Sequence, residues 1–492
     1  MTDIDPDKKP ISPGPIEGRF PEHITSDGLL VGWMLEEEHR RASYGFKFGD
    51  EETRKDDGLI DPILFGDEGH LITIAATGAG KGIGCIIPAL LRHKGPMIVI
   101  DPKGENAAVT KRHREEMGQK VFVLDPMGIV EEKSARFNPL DAIDPTDREA
   151  VDEASAMADL LSSHLKVDLR NRYWHNRGCH LVTSLILHCI NSPDKTERTL
   201  AAVRGHLNRT GDDDGQYLFN LLKGSDHPEA RRAAGAFRGL HAETISAIAS
   251  SSQDMVDFIR GDPVREMTSA SDFTMQDITD GKPITIYIVL PPHMLESHAQ
   301  LLRLWVGAIL KAIMRRRHRP ELSTIFLLDE AAQLGSFAPL RQAITLLRGY
   351  GLQTWSFWQD TSQLVNAFPT TWRTLINNCR VVQAFGAPNM SAAQSIANLF
   401  EIRRAETILD MEHDEMLVQI SGDDAFVARR PNYLRDPVFA GQFDPNPFYQ
   451  SAKLTLATAE PNPVKRKETA YLRDKDDRSD GEIIEDLLKR YG

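Results

Sequence analysis

The chain has 492 residues, 41% of them hydrophobic and 26% charged, with a formal net charge of −13. That length exceeds one ordinary domain, and the composition supports a sizeable packed core. The acidic balance argues against a protein coated with nucleic acid over its whole surface, and leaves room for a local basic channel.

Cys85, Cys179, Cys189 and Cys379 are widely scattered. None pairs at metal-ligand spacing and no disulfide framework is implied, so a reducing, cytoplasmic setting is expected. The first residues are acidic and proline-rich, without the basic and apolar regions of a secretory signal. No apolar run approaches the about 18 residues of a spanning helix.

Residues 1–62 read as a disordered lead followed by a peripheral segment. At Ile63 the character changes to strands alternating with helices. Residues 71–75 read as a buried strand and 83–93 as a helix. Residues 96–101 and 120–125 are further strands, each closed by an Asp-Pro pair that restricts the residue before proline. This alternation implies an α/β class with a mostly parallel sheet flanked by helices, and a ligand site at the strands' carboxyl ends. A nucleotide-binding domain is expected over 63–145 and 271–432, interrupted by an all-α insertion over 146–270. Residues 147–164, 174–190, 199–208 and 228–260 read as the insertion's helices. Strands are expected at 283–290, 324–330, 352–358 and 380–385, with helices at 295–317, 340–348 and 391–400. Residues 433–492 read as a charged tail ending in an amphipathic helix over 480–489.

The chemistry centres on Ala75-Ala76-Thr77-Gly78-Ala79-Gly80-Lys81-Gly82, set between the first strand and the first helix. A glycine-rich turn there lets backbone N–H groups face a triphosphate, while a lysine reaches its outer phosphates. Thr77, Gly78, Ala79, Gly80, Lys81, Gly82 and Ile83 are therefore the expected nucleotide contacts. The stretch departs from the P-loop pattern twice: Ala75 replaces the first glycine, and Gly82 replaces the magnesium-binding hydroxyl. Asp329-Glu330 follows an apolar strand, the Walker B arrangement. Asp329 is expected to hold Mg²⁺, and Glu330 to orient and deprotonate the attacking water. A bare glycine-rich loop and an acidic helix cap are the bland alternatives. The clusters Lys111-Arg112-His113-Arg114 and Arg315-Arg316-Arg317-His318-Arg319 are candidates for phosphate contacts in a nucleic-acid channel. Tyr173-Trp174 reads as core packing rather than a base-stacking platform.

Several further motifs join these. They are Asp101-Pro102-Lys103-Gly104-Glu105, Phe137-Asn138-Pro139-Leu140-Asp141, and Leu327-Leu328-Asp329-Glu330-Ala331-Ala332-Gln333-Leu334-Gly335. Arg348-Gly349-Tyr350-Gly351-Leu352 and Gln359-Asp360-Thr361-Ser362-Gln363-Leu364 follow. In this order they resemble type IV secretion coupling proteins of the TraG/TraD type, over about residues 63–399. The resemblance implies a RecA-like P-loop ATPase that uses ATP and Mg²⁺ and assembles as a homo-hexamer. It implies delivery of relaxosome DNA–protein complexes or effector proteins, and contact with single- or double-stranded DNA and with channel components. Many relatives share Gly-Lys-Gly, so Gly82 is a family mark. The resemblance further implies that Arg348 is an arginine finger acting on a neighbouring subunit and that Gln359 senses the phosphate. The insertion resembles the family's all-α, substrate-receiving domain. Typical members carry N-terminal transmembrane helices and none is found here, so a cytoplasmic protein docking peripherally at the inner membrane is expected. A DNA translocase unrelated to secretion and a non-hydrolysing nucleotide-binding adaptor use the same residues.

Overall fold

The computed structural model describes residues 19–35, 46–48, 59–66, 68–163, 171–209, 215–421 and 423–449. The expected helix over 480–489 and the first 18 residues lie outside them. Apolar runs without polar interruption form strands buried on both faces, as parallel sheets require. The strands are β1 (Leu29–Met34), β2 (Phe46–Phe48), β3 (Pro62–Phe65), β4 (His70–Ala75), β5 (Met97–Ile100) and β6 (Lys120–Leu124). They continue with β7 (Ile284–Ile288), β8 (Thr324–Leu328), β9 (Leu352–Trp358), β10 (Cys379–Phe385), β11 (Glu415–Ile420) and β12 (Phe426–Arg429). Among the described residues they make one sheet in the order β2-β3-β1-β12-β11-β10-β4-β9-β8-β5-β7-β6.

The sheet has two characters. From β10 to β6 every neighbouring pair is parallel. From β2 to β11, and across to β10, every pair is antiparallel. Parallel strands bring all their carboxyl ends to one edge, and the motif residues gather there.

Between β6 and β7 the described chain forms helices only. The principal ones are Ala150–Ser162, Arg172–Ile190, Leu200–Asn208, Gln216–Lys223, Pro228–Phe237 and Ala242–Val256. The stretch read as one helix over 228–260 breaks at Gly239, whose φ of +77° suits a residue without Cβ. This helical block shares one hydrophobic cluster with the sheet's face, which runs from Leu181 and Leu185 to Ile98 and Ile286. The long helix Pro292–Met314 is the seam: its Trp305 Nε1 donates to the Phe137 carbonyl at 2.9 Å. Its Lys311 Nζ lies 3.2 Å from the buried carboxylate of Glu153, which Arg315 also grips.

Two expectations are corrected. The segment read as peripheral contains β1, fully buried between β3 and β12. Its apolar run is cut by Gly32, where a Cβ would crowd Met416 Cε at 2.9 Å and Ala428 Cβ at 3.2 Å. Part of the segment read as tail also belongs to the core: Tyr433, Val438 and Phe439 pack with Leu30, Trp33 and Ile87. Proline and charge around them masked these few buried anchors. Among the described residues no helix is long and apolar enough to cross a membrane.

Candidate active site

β4 ends at Ala75, which is buried and paired with Phe385 of β10. Glu330 and Glu401 are the described non-glycine residues at positive φ, so Ala75 sits in ordinary strand backbone and needs no glycine. The chain then turns, Ala79 N bonding the Ala76 carbonyl at 3.1 Å. Gly78 and Gly80 take φ of +78° and +92°, a left-handed region that L side chains avoid. Lys81 returns to helical backbone, and a π-turn over Gly82–Ile86 leads into the helix Ile87–Arg92. A Cβ built at Gly82 meets nothing within 4 Å, so the site lacks the hydroxyl but has room for it. Thr77 is exposed at the loop's outer turn, and Ile83 packs beside Tyr433.

β4, β9 and β8 are consecutive in the sheet, so their carboxyl ends converge. Lys81 follows β4, Gln359 follows β9 and Glu330 follows β8. Lys81 Nζ lies 3.2 Å from Glu330 Oε1, and Gln359 Nε2 donates to Glu330 Oε2 at 2.8 Å. Glu330 is left-handed at φ +63°, a strain of order ~1 kcal/mol that marks a functional site when held by its surroundings. Here the lysine and the glutamine hold it.

Asp329 stands beside Glu330. Burial raises its carboxyl to about 6, Lys81 opposes this and Glu330 adds to it. β5 neighbours β8 with Ile100 opposite Leu328, so Asp101 emerges next to Asp329. Asp101 is almost fully buried, accepting from Ala107 N at 2.8 Å and Asn106 Nδ2 at 3.2 Å. Burial pushes it up to about 7, opposed by the Ala107 N–H and reinforced by Asp329. The paired role of Asp101 and Asn106 was not read from sequence, although an acid at a buried strand's tip is a legible signal. On the same turn the exposed Lys103 pairs with the half-buried Glu105 at 3.6 Å.

Two residues behind the loop escaped sequence reasoning altogether. Gly386 follows β10 with φ +71°, and a Cβ there would lie 2.5 Å from Ala79 Cβ. Arg430 follows β12 and donates to the Ala79 carbonyl.

Arg348 is not brought to these groups. It lies exposed in the turn Leu347–Tyr350, before the amino end of β9. Seven residues of strand, roughly 20 Å at strand rise, separate it from Gln359. The first basic cluster is engaged by partners within the chain, Arg114 in the interior and Arg112 at the surface. Arg114 is fully buried and donates to Thr285 Oγ1 at 2.9 Å and the Gly95 carbonyl at 2.8 Å, Lys111 pairs with Glu131, and Arg112 pairs with Asp444 and Glu116. His113 Nε2 lies 3.1 Å from the Leu91 carbonyl. In the second cluster Arg316 is buried against the Ile278 and Gly351 carbonyls, and Arg315 and Arg319 pair with Glu153 and Glu68. Arg317 and His318 remain exposed. Tyr173 is 56% exposed, stacked edge-on against Trp174, and is not core.

A glycine-rich turn between strand and helix, with a lysine and acids at neighbouring strand tips of a parallel sheet, defines a RecA-like P-loop NTPase fold. Residues 28–400 match the family described as Type IV secretory system Conjugative DNA transfer, and the chain belongs to that family. The type IV secretion system-coupling protein VirD4 of Bartonella henselae is 25% identical over 78% of this chain and 66% of its own length. The conjugal transfer protein TraG of Agrobacterium fabrum is 27% identical over 71% of this chain and 53% of its own length. The chain thus spans between about half and two thirds of these relatives. Among solved structures, the bacterial conjugative coupling protein TrwBdeltaN70 superposes with a TM-score of 0.58 at 17% identity, covering 75% of this chain and 88% of that one. TrwB has also been solved in complex with ADP and Mg²⁺, at a TM-score of 0.57.

Proposed function

We propose that this chain is an ATP-hydrolysing coupling protein that recruits DNA–protein or protein substrates and delivers them to a type IV secretion channel. The observation that carries the reading is the convergence of Lys81, Glu330 and Gln359 beside the glycine turn. TrwB's complexes with nucleotide, and with Mg²⁺, support ATP and Mg²⁺ as the ligands. Asp329 fits a divalent cation: it is a carboxylate lifted by burial, a cost that a nearby cation relieves, and Lys81 of the loop already faces it. Mg²⁺ supplies charge neutralisation to the phosphates when bound. Thr77 to Ile83 hold the phosphates through backbone N–H groups. Without nucleotide, Lys81 is satisfied by Glu330. A triphosphate draws Lys81 away, and Glu330 is then available to take a proton from water, with Gln359 holding its other oxygen. Arg348 serves the neighbouring subunit of a homo-hexamer, since its own loop is out of reach. The helical block receives cargo, relaxosome or effector, and a peripheral partner brings the assembly to the inner membrane.

The test is ATP binding and turnover by purified protein, with and without single-stranded DNA. Lys81→Ala is expected to lose binding. Glu330→Gln is expected to bind and not hydrolyse. A wild-type hexamer that binds ATP and never turns it over refutes the motor and leaves the adaptor. Wild-type turnover by Lys81→Ala refutes the site.

A further inference from the structure

We propose that Arg430 is a positioning residue of the phosphate cradle, and that Gly84 is glycine in order to let its side chain through. The proposal rests on the reading of residues 75–84 as the nucleotide site, and the experiment below separates the two.

Arg430 follows β12, three strands away from β4 across the antiparallel part of the sheet. It is 8% exposed, and its backbone N–H bonds the Asp414 carbonyl at 2.7 Å. The guanidinium lies over the Phe385 ring, 4.6 Å from its centroid. One nitrogen donates to the Ala79 carbonyl and the other to the His413 carbonyl at 3.1 Å. Arg430 therefore ties the loop to the β10–β12 region from behind.

The bond to Ala79 has a directional consequence. A trans peptide is planar and carries its C=O and N–H on opposite sides. Holding the Ala79 carbonyl towards Arg430 aims the Gly80 N–H the other way, into the space the phosphates occupy. Gly80 is at φ +92°, a conformation with no side chain to define it, so the carbonyl's partner sets the peptide's direction.

The neighbouring glycine shows how closely this is built. Gly84 sits in the π-turn and has no positive φ to demand a glycine. A Cβ there would lie 2.4 Å from both Cγ and Cδ of Arg430. The arginine's stem is thus the reason for Gly84. The guanidinium also carries charge. Among the described residues no carboxylate lies within ion-pair distance of Arg430; Asp414 and the Cys85 thiol are the titratable groups that face it. Asp414 is itself paired with Arg429 at 3.2 Å, so part of the Arg430 charge is left to add to the pull on phosphate.

The test is a double-mutant cycle on ATP affinity in the presence of Mg²⁺, by titration calorimetry, with melting temperatures recorded in parallel. Arg430→Ala is expected to weaken ATP binding about ten- to hundredfold, the span of a lost charge-assisted hydrogen bond. Guanidinium ion at low millimolar concentration should restore part of the loss. Gly84→Ala keeps the arginine but displaces it, and should weaken binding comparably. In the Arg430→Ala background Gly84→Ala should add almost nothing, because the obstruction is gone. Arg430→Lys, which keeps charge but not the fork, should fall between. If Arg430→Ala does not fold, Gly84→Ala alone decides: folded protein with wild-type ATP affinity overturns the proposal. So do additive effects of the two changes. Wild-type protein that binds no ATP overturns the site itself. Binding that Lys81→Ala abolishes and Arg430→Ala leaves intact overturns only Arg430.

Discussion

Gly82→Ser asks whether the missing P-loop hydroxyl reflects space or function. The geometry says it is not space. Gly82 has no positive φ, opens a helical turn, and a Cβ there meets no atom within 4 Å. A serine should therefore enter without strain and restrict the unfolded chain, a gain of about 0.5–1 kcal/mol. Unfolding entropy of about 2.1 cal/mol/K per residue over 492 residues makes that a rise of roughly 0.5–1 °C in melting temperature. In the P-loop pattern the hydroxyl at this position is a magnesium ligand. One added contact to a charged partner is worth about 1.5 kcal/mol, so the Mg²⁺ concentration for half-maximal nucleotide binding should fall by up to about tenfold. Scanning calorimetry and Mg²⁺ titrations at fixed ATP measure the two effects. A fall in melting temperature of more than about 1 °C would refute the reasoning. It would mean that the space at Gly82 is filled in the working assembly.

Two further outcomes follow from the geometry. Arg348→Ala should keep ATP affinity and lose about 1000-fold or more in turnover, as a finger acting in trans does, and mixing with Lys81→Ala subunits should restore part of it. Mixtures that stay inactive at every ratio speak against the trans role. Asp436 accepts from Trp33 Nε1 at 2.9 Å and Asn432 N at 2.8 Å, and burial raises its carboxyl to about 6. The folded chain thus holds this proton more tightly than the unfolded one. The stability it brings is complete below about pH 4 and is lost as pH rises through about 6. Asp436→Asn keeps both bonds without titrating. Between pH 4.5 and 7.5 it should gain on wild type by about 2 kcal/mol in urea unfolding, and parallel pH profiles would contradict the assignment.

The parallel half of the sheet was legible because its strands are unbroken apolar runs between turn signals. Runs such as Met97–Ile100 and Thr324–Leu328 have no other good reading. Lys81 and Glu330 were legible because each sits at a fixed place after such a run, and Gln359 was reached only through the family resemblance. The antiparallel half was not. β11 opens on Glu415 and carries Gln419, β2 has three residues, and β1 is cut by a glycine whose reason lies on another strand. The basic clusters misled for a related reason. A charge run displays charges but not their partners, and the partners of Arg114 and Arg316 include the Gly95 and Gly351 carbonyls, 19 and 35 positions away.

The same limit explains Arg430 and links the two halves of the sheet. Its partner Ala79 is 351 positions away, so no local pattern announces the contact. Yet the order β12-β11-β10-β4 makes the contact a consequence of topology. Gly386 and Phe385 sit between, one yielding to Ala79 and the other supporting the guanidinium. The loop is then defined from two sides. Strand tips of the parallel half present Lys81, Gln359, Glu330 and the Asp101–Asp329 pair in front, while the antiparallel half braces the peptide behind. Changes in the β11–β12 hairpin, which carries Arg430 at its end, should therefore behave as changes in the phosphate loop.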